Sequence, residues 1–411
     1  MTLQLVFKSI LNRRFTALLT VISIALSVSL LLSVERIRIG TKEGFTNTVS
    51  NTDLIVGSKG SSINLLLYTI FHLGSPVETI PWSAYQDIAS QKDIDWTIPI
   101  SLGDSHKGHR VVGTDQNFFQ HYRFSGGRQL DFATGEPFQK DLEVVIGAEL
   151  ARKLDYSVNT LLTLSHGAGS DISFQNHDAH KFRVSGVLEA TGTPIDRSLY
   201  ISLAAMELIH DEAIYEDRFK GDGSTNERAD ISAFLLKTKS RIGTLPLQRW
   251  INEYNDAPLT AIIPALTLTE LWQGMSYIEG SLGIISVLVV VIGLIGMLIA
   301  IYNSLNERRR EIAILRSLGA SPGQVFVALI SEAVILAGLG IITAVALTQS
   351  LMWLSKDWLM NEFSVNLDLP FLTMAELVYL AVVLGLAALL GAIPALRAYK
   401  QTLSDGLTIK I

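Results

Sequence analysis

Asn306–Gln324 reads NERRREIAILRSLGASPGQ and lies between two long apolar runs. Ser281–Tyr302 (SLGIISVLVVVIGLIGMLIAIY) precedes it, and a run from about Gln324 to Leu351, with the single charge Glu332, follows it. A bilayer crossing needs about 20 apolar residues, and both runs meet that length. Two more do so: Phe15–Val34 (FTALLTVISIALSVSLLLSV) and a run from about Leu377 to Leu396. The first exceeds the apolar core of a signal peptide and lacks a small-residue cleavage site, so it reads as a retained anchor. The pattern predicts an α-helical membrane protein with four transmembrane helices and a large α/β extracytoplasmic domain between helices 1 and 2.

Composition agrees. Of 411 residues, 48 % are hydrophobic and 18 % charged, against about 25 % charge in a typical soluble chain. Mean hydropathy is +0.34. No cysteine is present, which removes disulfides, thiolate metal sites and a cysteine nucleophile. Basic residues gather beside the spans: Lys8, Arg13 and Arg14 before the first, Arg308, Arg309, Arg310 and Arg316 between the second and third, and Arg397, Lys400 and Lys410 after the fourth. Four crossings put these clusters on one side, which the positive-inside rule makes cytoplasmic. The domain between the first two spans holds the acidic excess, which argues against a nucleic-acid partner.

The expected division is an amphipathic cytoplasmic lead-in at 1–14, transmembrane helix 1 at 15–37 and the extracytoplasmic domain at 38–266. A stalk and helix 2 follow at 267–302, a cytoplasmic helical loop at 303–322 and helix 3 at 323–352. A short outer loop at 353–375, helix 4 at 376–397 and a cytoplasmic tail at 398–411 complete it. The domain reads as α/β: LEVVIGAELARKL (142–154) as strand, glycine turn and helix, and LLTLS (161–165), KFRVSGVLEA (181–190) and SAFLLKTK (232–239) as strands. SLYISLAAMELIH (198–210) reads as strand then helix, and IGTLPLQRWINEYN (242–255) as a helix. TLTELWQGMSYIEG (267–280) is a helix leading into the second span. Trp272, Tyr277, Trp353 and Trp358 suit the outer membrane interface.

The charged stretch has explicit helix signals. Arg308 with Glu311 and Glu307 with Arg310 form i,i+3 pairs, and Ile312, Leu315 and Leu318 line one apolar face. Gly319 supplies a stop, Ser321 a cap and Pro322 a first turn for the next helix. A topology anchor needs only scattered arginines, whereas a capped amphipathic helix is suited to a groove on a cytoplasmic partner.

This stretch resembles the signature of the FtsX/MacB-type ABC transporter permeases, an E-R-x-x-E-I-x-x-x-R-x-x-G-A run after the second transmembrane helix. The first span, EVVIGAELA (143–151), VSGVLEATGTPIDRSLYISL (184–203) and GAIPALRAYKQTLSDGL (391–407) are similar to further parts of the family. VNTLLTL (158–164) departs from it where a Gly-Asp turn is common. The resemblance implies a dimeric permease in the inner membrane, with cytoplasmic termini and a periplasmic domain. It would not be an enzyme: a separate cytoplasmic ABC ATPase would carry ATP and magnesium, and this chain would bind no nucleotide. GSKGSS (57–62) has the wrong order for a phosphate loop. Glu307, Arg308, Arg310, Glu311, Ile312, Leu315, Arg316 and Gly319 would form the ATPase-coupling helix.

Other residues keep two readings. Glu332 within a span is an interhelical hydrogen-bonding group or a coupling acid. His166, His177, Asp178 and His180 form a solvated polar stretch or a zinc site. Gly293, Gly296, Gly338, Gly340, Gly385 and Gly391 permit close helix packing in the bundle or a dimer. SINLLLYTIFHLG (62–74) is core or an apolar surface for a lipid or partner protein. The function expected is export or extraction of a lipoprotein, lipid or small molecule, with membrane lipid and a periplasmic protein as partners. The alternatives are metal uptake and regulation of a cell-wall hydrolase without transport.

Overall fold

The computed structural model describes residues 10–11, 13–48, 50–166, 176–210, 229–317, 320–363 and 371–404. Side chains of 43–47, 165–166, 176–180, 210, 305–317, 357–363 and 398–404 lie outside the description. Most of the lead-in and the last residues of the tail are likewise outside it. The chain divides into two compact units, one of Met1–Gly40, Ser276–Trp358 and Leu367–Ile411, the other of Thr41–Met275 with Leu359–Asn366.

Among the described residues, the membrane unit has four helices long and apolar enough to cross a bilayer. They belong to α1 (Arg14–Thr48), α8 (Pro264–Ser317), α9 (Pro322–Phe363) and α10 (Met374–Ser404). Their seam is helical in period: Ile24, Val28 and Leu32 meet Val290, Leu294, Met297 and Ile301, with Ala333, Ala337 and Ala344 from α9 and Val383 and Ala387 from α10. Leu18, Ile22, Leu26, Ile292, Ile342 and Val382 face outward and are exposed. Helices apolar on every side need hydrocarbon rather than water around them. Small residues allow close approach: a Cβ on Gly340 would stand 2.6 Å from Ile24 Cγ2, and one on Gly391 2.5 Å from Ala333 Cβ. Gly338 and Gly385 face open space.

The outer unit is built on a ten-stranded mixed sheet, counted among the described residues. Its strands are β1 (Leu54–Ser58), β2 (Ile94–His106), β3 (His109–Thr114), β6 (Phe132–Gly135), β7 (Glu143–Ile146), β8 (Leu161–His166), β9 (Asn176–Leu188), β10 (Leu199–Ser202), β11 (Ala233–Thr238) and β12 (Leu259–Ile262). The order is β12-β1-β11-β2-β3-β10-β7-β9-β6, with β8 between β2 and β9. The pairs β3–β10 and β7–β9 are parallel. A short hairpin, β4 (Arg123–Phe124) and β5 (Arg128–Gln129), stands apart.

Strand side chains alternate between two buried faces. Ile55, Val112, Val145, Tyr200 and Leu235 enter one core. Their neighbours Leu54, Val56, Phe234 and Leu236 enter a second, and Val111, Val144, Ile146, Leu199 and Ile201 a third. Burial on both faces explains why these strands read as continuous apolar runs. The helices α2 (Ser62–Ile70), α3 (Trp82–Ala89), α4 (Gln116–His121), α5 (Ala148–Leu154), α6 (Leu203–His210) and α7 (Arg241–Asn252) surround the sheet. Helix α2 takes the core reading: Leu65, Leu66, Ile70 and Phe71 are buried in the first core.

Trp272 is half-buried against the first core, while Tyr277 and Trp353 are exposed. Two local features depart from the sequence reading. The 306–317 backbone is no separate helix but the end of α8, because no proline or glycine interrupts the chain between Gly296 and Gly319. Helix α1 continues past residue 37 to Thr48 for want of a proline stop. At the departure from the family pattern, Asn159 adopts φ +72°, the left-handed geometry an asparagine tolerates, so the turn forms without glycine.

Candidate functional site

The signature stretch is placed by helix ends. Glu307, Arg308, Arg310, Glu311, Ile312, Leu315 and Arg316 lie on the backbone of α8, their side chains outside the described residues; Gly319 is outside altogether. Two arginines hold the helix just before it. Arg13 Nη1 donates to the Ser304 carbonyl at 2.8 Å and also to the Ser304 hydroxyl. Arg397 Nη1 donates to the Tyr302 hydroxyl at 2.5 Å, with its guanidinium 5.3 Å from the Tyr302 ring centroid. Arg13, just before α1, and Arg397, in α10, thus both hold α8 within four residues of Asn306.

At the end of the stretch, Ser321 and Gln324 form a reciprocal capping box. The Gln324 amide donates to Ser321 Oγ at 3.3 Å, and the Ser321 amide to Gln324 Oε1 at 2.9 Å. Pro322 occupies the first helical position, where its missing N–H costs nothing.

A second polar cluster lies elsewhere in the same unit. Arg36 Nε donates to Glu376 Oε1 at 2.6 Å and Nη2 to Oε2 at 3.2 Å. Nη2 also donates to the Phe371 carbonyl at 2.6 Å. Both side chains are buried, 5 % and 0 % exposed. Glu376 additionally accepts from the Thr373 amide at 2.7 Å, and its own amide donates to Thr373 Oγ1 at 3.2 Å. One carboxylate therefore caps α10 and neutralises a guanidinium from α1. Arg38 makes looser pairs with Glu35 at 2.7 Å and Glu279 at 3.4 Å. Glu332 is buried at 7 % exposure on α9, with Ala333 beside it against Gly391.

Sequence reasoning counted Arg13 and Arg397 only as topology charges and did not single out the Arg36–Glu376 pair. A usable signal for the latter was present: Thr373-x-x-Glu376 ahead of an apolar run is a capping box.

His166 ends β8, and His177, Asp178 and His180 begin the paired β9; their side chains are outside the described residues. Among the described residues no group of three or more His, Cys, Asp or Glu gathers as a metal site. His106 contacts the Thr163 carbonyl through Nδ1 at 2.6 Å and the Tyr156 hydroxyl through Nε2 at 3.0 Å. His72 Nδ1 meets Ser198 Oγ at 2.7 Å. Burial, with Arg110 nearby, lowers the His72 pKa to about 4.

Two family models match the chain. One, the MacB-like periplasmic core domain, covers residues 17–241. The other, the FtsX-like permease C-terminal region, covers residues 283–403. The crystal structure of the periplasmic region of MacB from Actinobacillus actinomycetemcomitans is 12 % identical at a TM-score of 0.35, covering 56 % of this chain and 96 % of its own. The extracellular domain of the noncanonic ABC-type transporter YknZ from Gram-positive bacteria is 12 % identical at 0.30, covering 51 % and 98 %. The two family models together span most of the chain. No curated protein matches the sequence significantly.

Proposed function

The chain belongs to the FtsX/MacB family of ABC transporter permeases, and we propose that it couples ATP hydrolysis on a separate cytoplasmic ATPase to motion of its outer unit. The observation that carries this reading is α8: one unbroken helix joins residues of the outer unit to the signature stretch. A continuous hydrogen-bonded helix passes on a displacement that a loop would absorb. Arg13 and Arg397, bonded to Ser304 and Tyr302, would keep the docking end of α8 registered against α1 and α10.

The same contacts support the topology. Arg13 belongs to the first basic cluster, Arg397 to the last, and both meet α8 immediately before the middle one. Arg13 and Arg397 beside the end of α8 that leads into the middle cluster fit a cytoplasmic face, with both termini there and the acidic unit outside. The family implies pairing with an ATPase and a second permease copy; the open faces at Gly338 and Gly385 suit such a contact. The cargo we propose is a lipoprotein, lipid or small molecule moved outward or extracted from the membrane.

The test is detergent co-purification with a co-expressed candidate ABC ATPase, comparing wild type with Glu311→Ala/Leu315→Asp. Loss of the ATPase from a folded variant supports docking; full retention reduces the stretch to a topology anchor. ATPase activity with and without added Zn²⁺ in the same preparation separates metal traffic from other cargo.

A further inference from the structure

The outer unit contains a cavity of about 970 Å³, at the upper end of the size range of small-molecule sites. Its walls are the segment Ser50–Asp53, the β4–β5 hairpin, the first turns of α7, and Ile263 with the start of α8. Three cations, Arg123, Lys237 and Arg241, line it against one carboxylate, Asp53. That is a cationic excess within an acidic chain of net charge −6.

The cations are not equivalent. Lys237 Nζ lies 3.2 Å from Asp53 Oδ1, and Asp53 Oδ2 accepts from the Thr238 amide at 2.9 Å and hydroxyl at 2.7 Å. Asp53 and Lys237 are thus already matched. Arg123 donates only to the adjacent Tyr122 carbonyl, at 2.9 Å, and neither Arg123 nor Arg241 pairs with a carboxylate among the described residues. Two guanidiniums therefore stand at the cavity without an anion. Beside them, Leu245 and Leu266 are 63 % and 59 % exposed.

Each wall has a chemical preference. A guanidinium fork fits an oxyanion through paired N–H donors. Exposed leucines gain from alkyl groups that leave water with them. An inorganic anion uses only the first wall, and a neutral hydrocarbon only the second. We propose that this cavity binds an anionic amphiphile, its oxyanion head on Arg123 and Arg241 and its alkyl chain along Leu245 and Leu266. Because residues 50–53 follow α1 and Ile263 precedes α8, the occupant touches both chain segments that lead to the membrane helices. Binding at this site does not depend on the coupling reading, and it is measured with no ATPase present.

The experiment uses the full chain in dodecyl maltoside, with dodecyl phosphate as probe and native mass spectrometry and thermal shift as readouts. One dodecyl phosphate per chain is expected. Arg123→Ala/Arg241→Ala should weaken it by about tenfold to a hundredfold, as loss of charge-assisted hydrogen bonds does. Leu245→Asn/Leu266→Asn should weaken it too, with the unliganded melting temperature showing that each variant folds. Equal binding by the arginine variant, displacement by dodecyltrimethylammonium, or equally tight binding of inorganic phosphate overturns the proposal. Given the variant losses, nanodiscs distinguish the source. Competition from phosphatidylglycerol, but not phosphatidylcholine, assigns the site to membrane lipid. No competition from either assigns it to an amphiphile arriving from outside the bilayer.

Discussion

Arg36 and Glu376 are a buried charged pair whose remaining polar demands are met by Phe371 and Thr373. Removing one partner strands the other charge, so Arg36→Ala should destabilise the chain by about 3–5 kcal/mol. The exchange Arg36→Glu/Glu376→Arg should recover part of that loss, read from denaturation in detergent. At His72 the effect is pH-dependent. Its folded pKa of about 4 lies below the ordinary 6.5, so the unfolded chain binds the extra proton between those values. The stability contributed by neutral His72 is complete above about pH 6.5 and is lost as pH falls towards 4. His72 has φ +55°, a conformation that asparagine accepts. His72→Asn should therefore flatten the stability slope between pH 6.5 and 4 while keeping the fold, as circular dichroism melts would show.

At the scale of elements, the capping box at the start of α9 and the grip on the end of α8 bracket the signature stretch. Ser321→Ala removes one cap and should cost about 1 kcal/mol. On the proposed coupling, Arg13→Ala/Arg397→Ala should leave the chain folded and able to bind the ATPase but lower the ATPase activity of the complex, because α8 would lose its register against α1 and α10. Unchanged activity would show that Ser304 and Tyr302 need no such restraint. The helix boundaries were only partly legible in the sequence. Hydropathy marks where a helix is apolar but not where its hydrogen bonding stops, so α1 extends to Thr48 and α8 carries the signature stretch as far as Ser317.

For the whole molecule, orientation can be tested directly, because the chain has no cysteine to remove. A single cysteine at exposed Glu253 in the outer unit should react with a membrane-impermeant maleimide in intact cells. One at Ser404 should react only after the inner membrane is opened. The reverse pattern would overturn the proposed topology.

The four spans, their basic flanks and the 306–320 motif followed from sequence alone, because the bilayer imposes its length and charge rules on local stretches of chain. The α/β texture of the outer unit was legible for the same reason: strand and helix periods are short. Tertiary structure decided what depends on pairing distant residues. Arg36 meets Glu376, Arg13 meets Ser304, and Trp272 packs against the first core. It also brought Arg123, Arg241, Leu245 and Leu266 to one cavity. No local pattern encodes such meetings, since they depend on how the sheet orders its strands and how the helices choose their neighbours.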